Sequence, residues 1–277
     1  MAYQKLHHIR DNAQKIDPFY ATYYKDVTST QSIAMDAITN NLAQHGNVII
    51  STDGQSIGKG KGKRKWISVS DDLAMSVILH TSSLYNNNLQ CNINEKNSSV
   101  TNSQHIFSQL SYVICLSIID GITELIPGID QHIRCKWPND VLIEAGKVSG
   151  FLITSLHHSP FITIGIGVNI CDKSMLDAEF STKSSYLRRY NNTIQYNHLA
   201  ESILSSIKKY HSIRINHGFS HIRELWLQKA ILLNKQINIT HAGQNHTGIF
   251  KGVADDGAMV FQQGTQSRLI YSAEIFQ

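Results

Sequence analysis

One stretch, residues 55–66, constrains this chain most, because three glycines alternate with three lysines in it. It reads QSIGKGKGKRKW and ends with Arg64, Lys65 and Trp66. Glycine lets a backbone adopt positive φ angles and approach a ligand closely, and the basic side chains supply charge for an anion. We therefore predict a flexible, positively charged loop, called the strap below, that could surround a phosphate or carboxylate. A solvated basic run that contacts nucleic acid, or nothing, is the alternative.

Composition narrows the class of protein. The chain has 277 residues, is 42% hydrophobic and carries a net charge of +4. Such a length allows one large domain or a large and a small one. The charge excess is concentrated in the strap, whereas nucleic-acid-binding proteins usually spread a wider basic surface. The four cysteines are far apart and form no Cys-x-x-Cys pair, which argues against a zinc site or a disulfide framework and favours the cytoplasm.

Targeting signals and metal sites are not indicated. The N-terminus lacks the apolar segment of a signal peptide, and no apolar run reaches the roughly 18 residues of a membrane-spanning helix. The histidine pairs at 7–8 and 157–158 lack the i, i+4 spacing of a helical metal site. We expect a cytoplasmic protein with no membrane span and no metal site of its own.

The chain around the strap predicts alternating strands and one helix. Residues 21–27 and 48–51 have strand character. Between them lies a helical pattern whose N-cap is Ser29 or Thr30; free N–H groups at a helix N-terminus can also bind a polar ligand, although capping alone is the simpler explanation. After the strap, residues 66–69 and 73–79 predict two strands of one sheet.

An Asn- and Ser-rich segment separates this region from a long helix. Residues 83–104 contain few apolar side chains and predict a mobile surface insertion. Residues 105–126 carry an apolar stripe of helical period, which predicts a packing helix.

The second informative stretch, residues 133–153, reads IRCKWPNDVLIEAGKVSGFLI. Its Pro-Asn-Asp is typical of a turn, and two strand-like runs flank a hairpin turn at residues 144–146. The hairpin could bring Lys147 near Asp140, and such a pair beside a phosphate would be reactive. An ordinary hairpin with charged edge residues is the alternative.

The remainder predicts one more strand, two helices and a small β domain. In the strand at residues 161–170, Gly165 and Gly167 indicate close approach of a ligand or another backbone. From residue 234 the period changes to two, and four or five short strands predict a small barrel that packs on the main domain. We predict a main domain at 1–232 and a barrel domain at 233–277.

Taken together, these stretches resemble the biotin protein ligases, or biotin–acetyl-CoA-carboxylase ligases. The family's glycine-rich motif, close to GRGRxGRxW, is similar to the strap from Gly58 to Trp66. The KWPND signature is intact at 136–140, the following KxxG lies at 147–150, and the GxGxN strand lies at 165–169. The combination is specific and spans most of the chain.

The resemblance implies an α+β fold: a central mixed β-sheet with flanking helices, as in biotin/lipoate ligases, and a small C-terminal SH3-like barrel. It implies a two-step ligase. Biotin and MgATP give biotinyl-5'-AMP and pyrophosphate, and one lysine of a biotin carboxyl carrier protein then attacks the adenylate. Longer members carry an N-terminal DNA-binding domain. Residues 1–20 are too few for one, so we expect no DNA binding.

The resemblance also implies roles for single residues. Lys147 resembles the lysine that contacts the biotin carboxyl and the phosphate, Lys61 and Arg64 resemble strap cations that hold the adenylate, and Asp140 resembles the residue that orients or deprotonates the incoming lysine. These four are the expected catalytic residues. The expected biotin contacts are Ser29, Thr30, Gln31, Gln55, Lys59, Gly60, Lys61 and Lys147. The expected ATP and adenylate contacts are Gly58, Lys59, Gly60, Lys61, Arg64, Trp66, Asn139, Lys147 and Asn169.

The chain departs from the family pattern in three places. Lys59 and Lys61 replace the usual arginines; lysine loses the bidentate fork, so the adenylate would be held less tightly. Lys63 stands where the third glycine belongs, and Gln31 replaces an asparagine.

Other functions stay open at this point. A lipoate or octanoate ligase resembles the same fold, but the KWPND stretch and the strap suit biotin ligases better. A nucleic-acid-binding protein that uses the strap would lose affinity steeply with salt. An inactive carrier-binding module is disfavoured by the intact motifs. A homodimer through the central sheet also stays open.

Overall fold

The structure, a computed structural model, describes residues 13–25, 27–62, 64–84, 98–174 and 184–276, with the backbone alone for residues 98–104. A mixed sheet of eight strands in the order β1-β2-β3-β6-β10-β9-β8-β7 forms its centre. Its strands are β1 (Gln14–Ile16), β2 (Phe19–Tyr24), β3 (Asn47–Ser51), β6 (Leu73–His80), β7 (Ile133–Lys136), β8 (Asp140–Ile143), β9 (Gly146–Ser155) and β10 (Phe161–Val168).

Helices cover both faces of this sheet. They are α1 (Thr30–Thr39), α2 (Ser98–Leu125), α3 (Tyr196–His217) and α4 (Phe219–Lys229). The large core lies between the sheet and α2 to α4, and a smaller cluster packs α1 on the opposite face. Because side chains alternate along a strand, Ile164 and Ile166 of β10 enter the large core, whereas Gly165 and Gly167 face the α1 side. The predicted fold class is confirmed.

The strap is a β-hairpin. Its strands β4 (Gln55–Lys59) and β5 (Lys65–Ser68) pair antiparallel as a separate two-stranded sheet. Our prediction that residues 66–69 and 73–79 belong to one sheet is therefore wrong. The chain turns between Ser68 and β6, and β6 pairs with β3 and β10 instead.

The long helix α2 begins at Ser98, inside the predicted insertion of residues 83–104. Residues 98–104 are thus helical, contrary to our prediction, because the apolar stripe begins later than the helix itself. Residues 85–97 lie outside the described residues. By length and composition, residues 105–125 could span a membrane, but most of this segment is buried. It packs against α3 and the sheet, as a core helix does.

The C-terminal region forms its own antiparallel sheet in the order β14-β13-β12-β11-β15. Its strands are β11 (Gln236–His241), β12 (Gln244–Val253), β13 (Met259–Gln263), β14 (Gln266–Ile270) and β15 (Glu274–Phe276). The sheet packs on α2: the Tyr112 hydroxyl donates to the Gly257 carbonyl at 2.8 Å, and Gln109 Nε2 donates to the Asp255 carbonyl at 2.9 Å. These hydrogen bonds attach the C-terminal domain to α2. The predicted division at residues 232 and 233 falls between α4 and β11.

Candidate active site

A cleft of about 330 Å³ lies on the α1 side of the sheet, between the start of α1, the strap, the β8–β9 hairpin and β10. All predicted site residues except Gly58 line it. Gly58 sits inside the strap hairpin, where an added Cβ would lie 2.2 Å from the Trp66 carbonyl oxygen. Its role in the structure is to let β4 and β5 approach closely.

One end of the cleft is closed by a continuous network of polar side chains. Gln55 Oε1 accepts from the backbone N–H of Thr30 at 2.8 Å and from its hydroxyl at 3.2 Å. The Thr30 hydroxyl lies 2.9 Å from Ser76 Oγ, which donates to Gln31 Oε1 at 3.0 Å. Gln31 Nε2 then donates to Thr163 Oγ1 at 2.6 Å. These groups orient one another, so this end is formed without a ligand.

Two features of this end favour a polar ligand. Ser29 precedes α1 in an extended conformation and makes no capping bond with its side chain. Its buried Oγ has no hydrogen-bond partner among the described residues, and buried hydroxyls normally have one. The predicted capping function therefore does not explain this hydroxyl. The backbone of Gly165 lies against the Gln31 amide, since an added Cβ would be 2.7 Å from Gln31 Oε1.

The β8–β9 hairpin places an ion pair in the middle of the cleft. Lys147 Nζ lies 2.7 Å from Asp140 Oδ1, and both side chains are partly exposed to the cleft. The hairpin's irregular register between Val141 and Leu142 and the small Gly150 leave room for the lysine; an added Cβ there would be 3.0 Å from Lys147 Nζ. The predicted Lys147–Asp140 approach is confirmed. The lysine can neutralise an anion, and the aspartate can accept a proton from an amine.

Trp66 and Asn169 form the opposite end. The Trp66 ring lies on Gly167, where an added Cβ would be 2.3 Å from the indole, and Lys147 Nζ is 5.4 Å from the ring centre. Asn169 Nδ2 donates to the carbonyls of Lys147 and Ser185. Asn169 thus supports the backbone of the central lysine.

The strap cations contact the C-terminal domain in this structure. Lys61 Nζ donates to the Ala273 carbonyl at 3.0 Å, and Arg64 forms an exposed ion pair with Glu274 at 3.2 Å. Burial, with the neighbouring Arg64 charge, lowers the pKa of Lys61. Lys59 and Gly60 line the cleft, and Lys63 lies outside the described residues.

One residue of the cleft and two residues of the polar network behind it have no signal in the sequence. Lys173 lines the cleft and pairs with the fully buried Asp72 at 2.6 Å. Ser76 and Thr163 complete the polar network from distant strands. Each is an ordinary residue type outside any motif, so only the sheet order brings them to the site. The alternation of Gly165 and Gly167 is the one local hint to Thr163, since it marks the strand face that they share.

A second cleft of about 250 Å³ adjoins the first, between α2, the Trp137–Asn139 segment and the C-terminal domain. Lys61, Asn139, Phe151 and Leu152 line both clefts. Lys61 therefore stands at the boundary between them. Within the described part of the chain, no group of three or more His, Cys, Asp or Glu side chains could hold a metal ion.

Comparison with known proteins agrees with this fold. Residues 23–170 match the Biotin/lipoate A/B protein ligase family, which is more than half of the chain. The chain belongs to this family. Residues 232–276 match the Biotin protein ligase C terminal domain.

Relatives and solved structures extend the likeness over nearly the whole chain. The chain is 24% identical to a biotin–[acetyl-CoA-carboxylase] ligase of Paracoccus denitrificans, over 89% of this chain and 97% of the relative. It is 26% identical to the bifunctional ligase/repressor BirA of Bacillus subtilis, over 91% of this chain and 72% of the relative. The biotin protein ligase of Aquifex aeolicus, solved in complex with biotin and ATP, has the same fold, with a TM-score of 0.73 at 21% identity over 92% of this chain and 97% of that one.

Proposed function

We propose that this chain is an ATP-dependent biotin protein ligase. It activates biotin to biotinyl-5'-AMP and transfers the biotinyl group to one lysine of a biotin carboxyl carrier protein. The observation that carries the proposal is the position of the Lys147–Asp140 pair, between a closed polar pocket on one side and a basic strap on the other. Membership of the ligase family and relatives named as biotin ligases support it.

In the first step a carboxylate oxygen of biotin attacks the α-phosphorus of ATP. A new oxygen–phosphorus bond forms, the bond from the α-phosphorus to the bridging oxygen breaks, and pyrophosphate leaves. Two anions meet in this reaction, so cations must offset the charge that develops at the phosphorus. Lys147 supplies this charge in the middle of the cleft, and Lys61 and Arg64 do so when they leave the C-terminal domain.

In the second step the ε-amine of the carrier lysine attacks the carbonyl carbon of the adenylate. A carbon–nitrogen bond forms, the carbonyl carbon–oxygen bond to the phosphate breaks, and AMP leaves. The attacking amine must be neutral and must lose a proton. Asp140 is the carboxylate that lines the cleft among the described residues, and it can accept that proton.

The closed polar end supports biotin over the other acids. The biotin bicycle carries a ureido group with two N–H donors and a carbonyl acceptor, which the hydroxyls and amides of Ser29, Thr30 and Gln55 can bind. Octanoate ends in a methyl group and lipoate in a dithiolane, so either would leave the buried Ser29 hydroxyl unpaired. Sites built for hydrogen bonds discriminate strongly against ligands that lack them.

We also propose where the nucleotide binds, how Mg²⁺ takes part, and that the reaction takes place in the cytoplasm. Trp66 and Asn169 belong to the nucleotide half, and Mg²⁺ would be brought by ATP as part of the MgATP substrate, where it would offset phosphate charge. Reaction in the cytoplasm would give the enzyme both ATP and its carrier.

The second cleft supports a protein acceptor. The first cleft would be filled by biotin and nucleotide, so the amine needs another approach to the carbonyl. The adjoining cleft reaches the active site beside Asn139, next to Asp140. Its aromatic walls suit the aliphatic part of a lysine side chain, and its rim includes the C-terminal domain.

Transfer of biotin to a carrier domain tests the proposal. The protein is mixed with biotin, MgATP and the purified apo carrier domain of a biotin-dependent carboxylase, with the Lys→Arg variant of that carrier as control. Mass spectrometry should show one biotinyl group on the carrier and none on the variant. A folded protein that modifies a lipoyl domain with lipoate or octanoate, and leaves the carrier unmodified, would keep the fold and reject the substrate.

A further inference from the structure

A buried carboxylate lies below the base of the strap. Asp72 is fully buried, and it follows the turn that leads out of β5. Its oxygens accept from the backbone N–H groups of Val69, Ile170 and Cys171 at 2.8 to 3.0 Å. It therefore joins the exit of the strap to the end of β10.

The ammonium group of Lys173 completes this junction. Its Nζ lies 2.6 Å from Asp72 Oδ2, 2.7 Å from the Ile67 carbonyl oxygen and 2.7 Å from Asn169 Oδ1. A lysine has three donors and no acceptor, so all three are used inside the protein. Lys173 lines the cleft yet has no N–H left for a phosphate, which makes it a positioning residue and not a catalytic one.

What Lys173 holds is the nucleotide half of the site. It binds β5 at Ile67, the neighbour of Trp66, and its Nζ lies 5.7 Å from the Trp66 ring centre. It also fixes the oxygen of Asn169, so the amide of Asn169 can only point its Nδ2 at the carbonyls of Lys147 and Ser185.

The polar network at the other end of the cleft has no hydrogen bond to this junction in the part of the chain that the structure describes. Its members Gln55, Thr30, Ser76, Gln31 and Thr163 bond to one another and not to Lys173 or Asp72, and Gln55 is linked to β5 only through the strand pairing at Ser68. Removal of the Lys173 ammonium should therefore affect one half of the site and spare the other.

We propose that the Asp72–Lys173 pair is the positioning element of the nucleotide half, fixing Trp66 and Asn169 so that ATP binds in a defined place. The inference rests on the proposed function, because it takes Trp66 and Asn169 as nucleotide contacts. It adds a specific consequence, that affinity for ATP depends on a lysine that does not contact ATP.

Calorimetry on purified variants tests this. Biotin is titrated into the free protein, and a non-hydrolysable ATP analogue with Mg²⁺ is titrated into the biotin-saturated protein. Lys173→Met should weaken the analogue about tenfold or more, as the loss of a partner that orients a ligand-contacting residue does at metal sites, and should change the biotin affinity less than about twofold. Asp72→Asn keeps the side-chain shape and should weaken the analogue in the same direction by a smaller factor.

Lys229→Met is the control outside the cleft. Lys229 Nζ lies 2.5 Å from Asp130 Oδ1, in an ion pair that is more exposed than Asp72–Lys173 and does not line the cleft. Its loss tests whether removal of a lysine ion pair elsewhere lowers ligand affinity. Lys229→Met should leave both affinities unchanged.

Different outcomes would overturn the role of the Asp72–Lys173 pair and the proposed ligase function. If Lys173→Met and Asp72→Asn fold, and both affinities fall equally or neither falls, the pair is only structural and the inference is overturned. A folded wild-type protein that binds neither biotin nor the analogue would overturn the proposed function, and with it the inference.

Discussion

The two sides of the cleft differ in how their polar groups are satisfied. At the end of the cleft next to the start of α1, amide and hydroxyl groups of the polar network bond to one another inside the protein. Ser29, Thr30 and Gln31 are buried there. On the strap side, Lys61 and Arg64 bond to the C-terminal domain through one carbonyl and one exposed carboxylate.

This difference allows one cleft to perform two reaction steps. A preformed pocket binds its ligand without rearrangement and gives specificity. The exposed Arg64–Glu274 ion pair is weak, so Arg64 can exchange it for a contact with a phosphate at little cost. Lys61 would exchange its part-buried hydrogen bond to the Ala273 carbonyl for the phosphate. Closure of the strap over the adenylate would then keep water from a hydrolysable anhydride.

The largest effect is expected at Lys147, which serves both sides. Lys147→Ala should lower pyrophosphate release about 10²–10³-fold, the usual effect of removing one group that stabilises transition-state charge, while the fold survives because the side chain is partly exposed. Steady-state kinetics and circular dichroism measure the two quantities. Near-normal turnover in the folded variant would remove the central lysine from the mechanism.

Substitutions at two glycines of β10 test the two ends of the cleft separately. Gly165→Ala places a methyl group against Gln31, and Gly167→Ala places one against Trp66. Each should raise one KM about tenfold, the effect of about 1.4 kcal/mol: that of biotin for Gly165→Ala and that of ATP for Gly167→Ala. The variants are each other's control. Equal effects of both substitutions on both KM values would show that the cleft has no separate halves.

The lowered pKa of Lys61 predicts how the binding of the adenylate by the strap depends on pH. Burial lowers the pKa of Lys61 in the free protein, and a bound phosphate would raise it again. The affinity for the adenylate should therefore fall as the pH rises from the pKa of Lys61 in the free protein towards its pKa in the complex. This fall should start below the roughly 10.4 of an ordinary lysine.

Lys61→Arg is the control, since arginine stays charged throughout. Release of biotinyl-AMP should accelerate in the wild type as the pH rises towards the roughly 10.4 of an ordinary lysine, and should stay flat in Lys61→Arg. The same pH dependence in both proteins would assign it to another group.

The contribution of Lys61 to the free energy of unfolding changes with pH in the opposite direction to the adenylate affinity. Between its lowered folded pKa and the pKa of an ordinary lysine, the unfolded chain binds the proton and the folded chain does not. The free energy of unfolding from this residue therefore rises with pH across that window.

The smallest effect is expected at the exposed strap contact. Glu274→Ala removes the partner of Arg64, and the free energy of unfolding should change by less than about 1 kcal/mol. Adenylate should be retained as long as in the wild type or longer, because a competitor for Arg64 is gone. A large loss of stability in thermal unfolding would mean that the strap is fixed to the C-terminal domain.

Sequence reasoning reached the parts of the site that local chemistry determines. The turn at Pro138 and the hairpin that follows it bring Lys147 to Asp140 within one supersecondary unit, so the spacing indicates that the two could approach, although an ordinary hairpin also stays open. The alternating Gly165 and Gly167 likewise predict a close approach, and Gln31 and Trp66 are the groups that approach.

Long-range order was not accessible in the same way. Asp72 and Lys173 meet only because the strap exit lies beside the end of β10, and Ser76 meets Gln31 only because β6 lies under α1. The strap is a separate hairpin because β6 pairs with β3 and β10, which no local pattern of residues 66–69 reveals. The start of α2 was also missed, since polar residues such as Ser98 carry no apolar stripe.

The most direct test of the central claim is pyrophosphate release from MgATP with biotin, lipoate or octanoate offered separately. The preformed polar pocket predicts release with biotin and at most background release with the other two acids. Release with lipoate or octanoate at the biotin rate would contradict the assignment of specificity to that pocket. A folded protein that releases no pyrophosphate with any acid would contradict the adenylating activity itself, and salt-dependent binding of the strap to nucleic acid would become the next measurement.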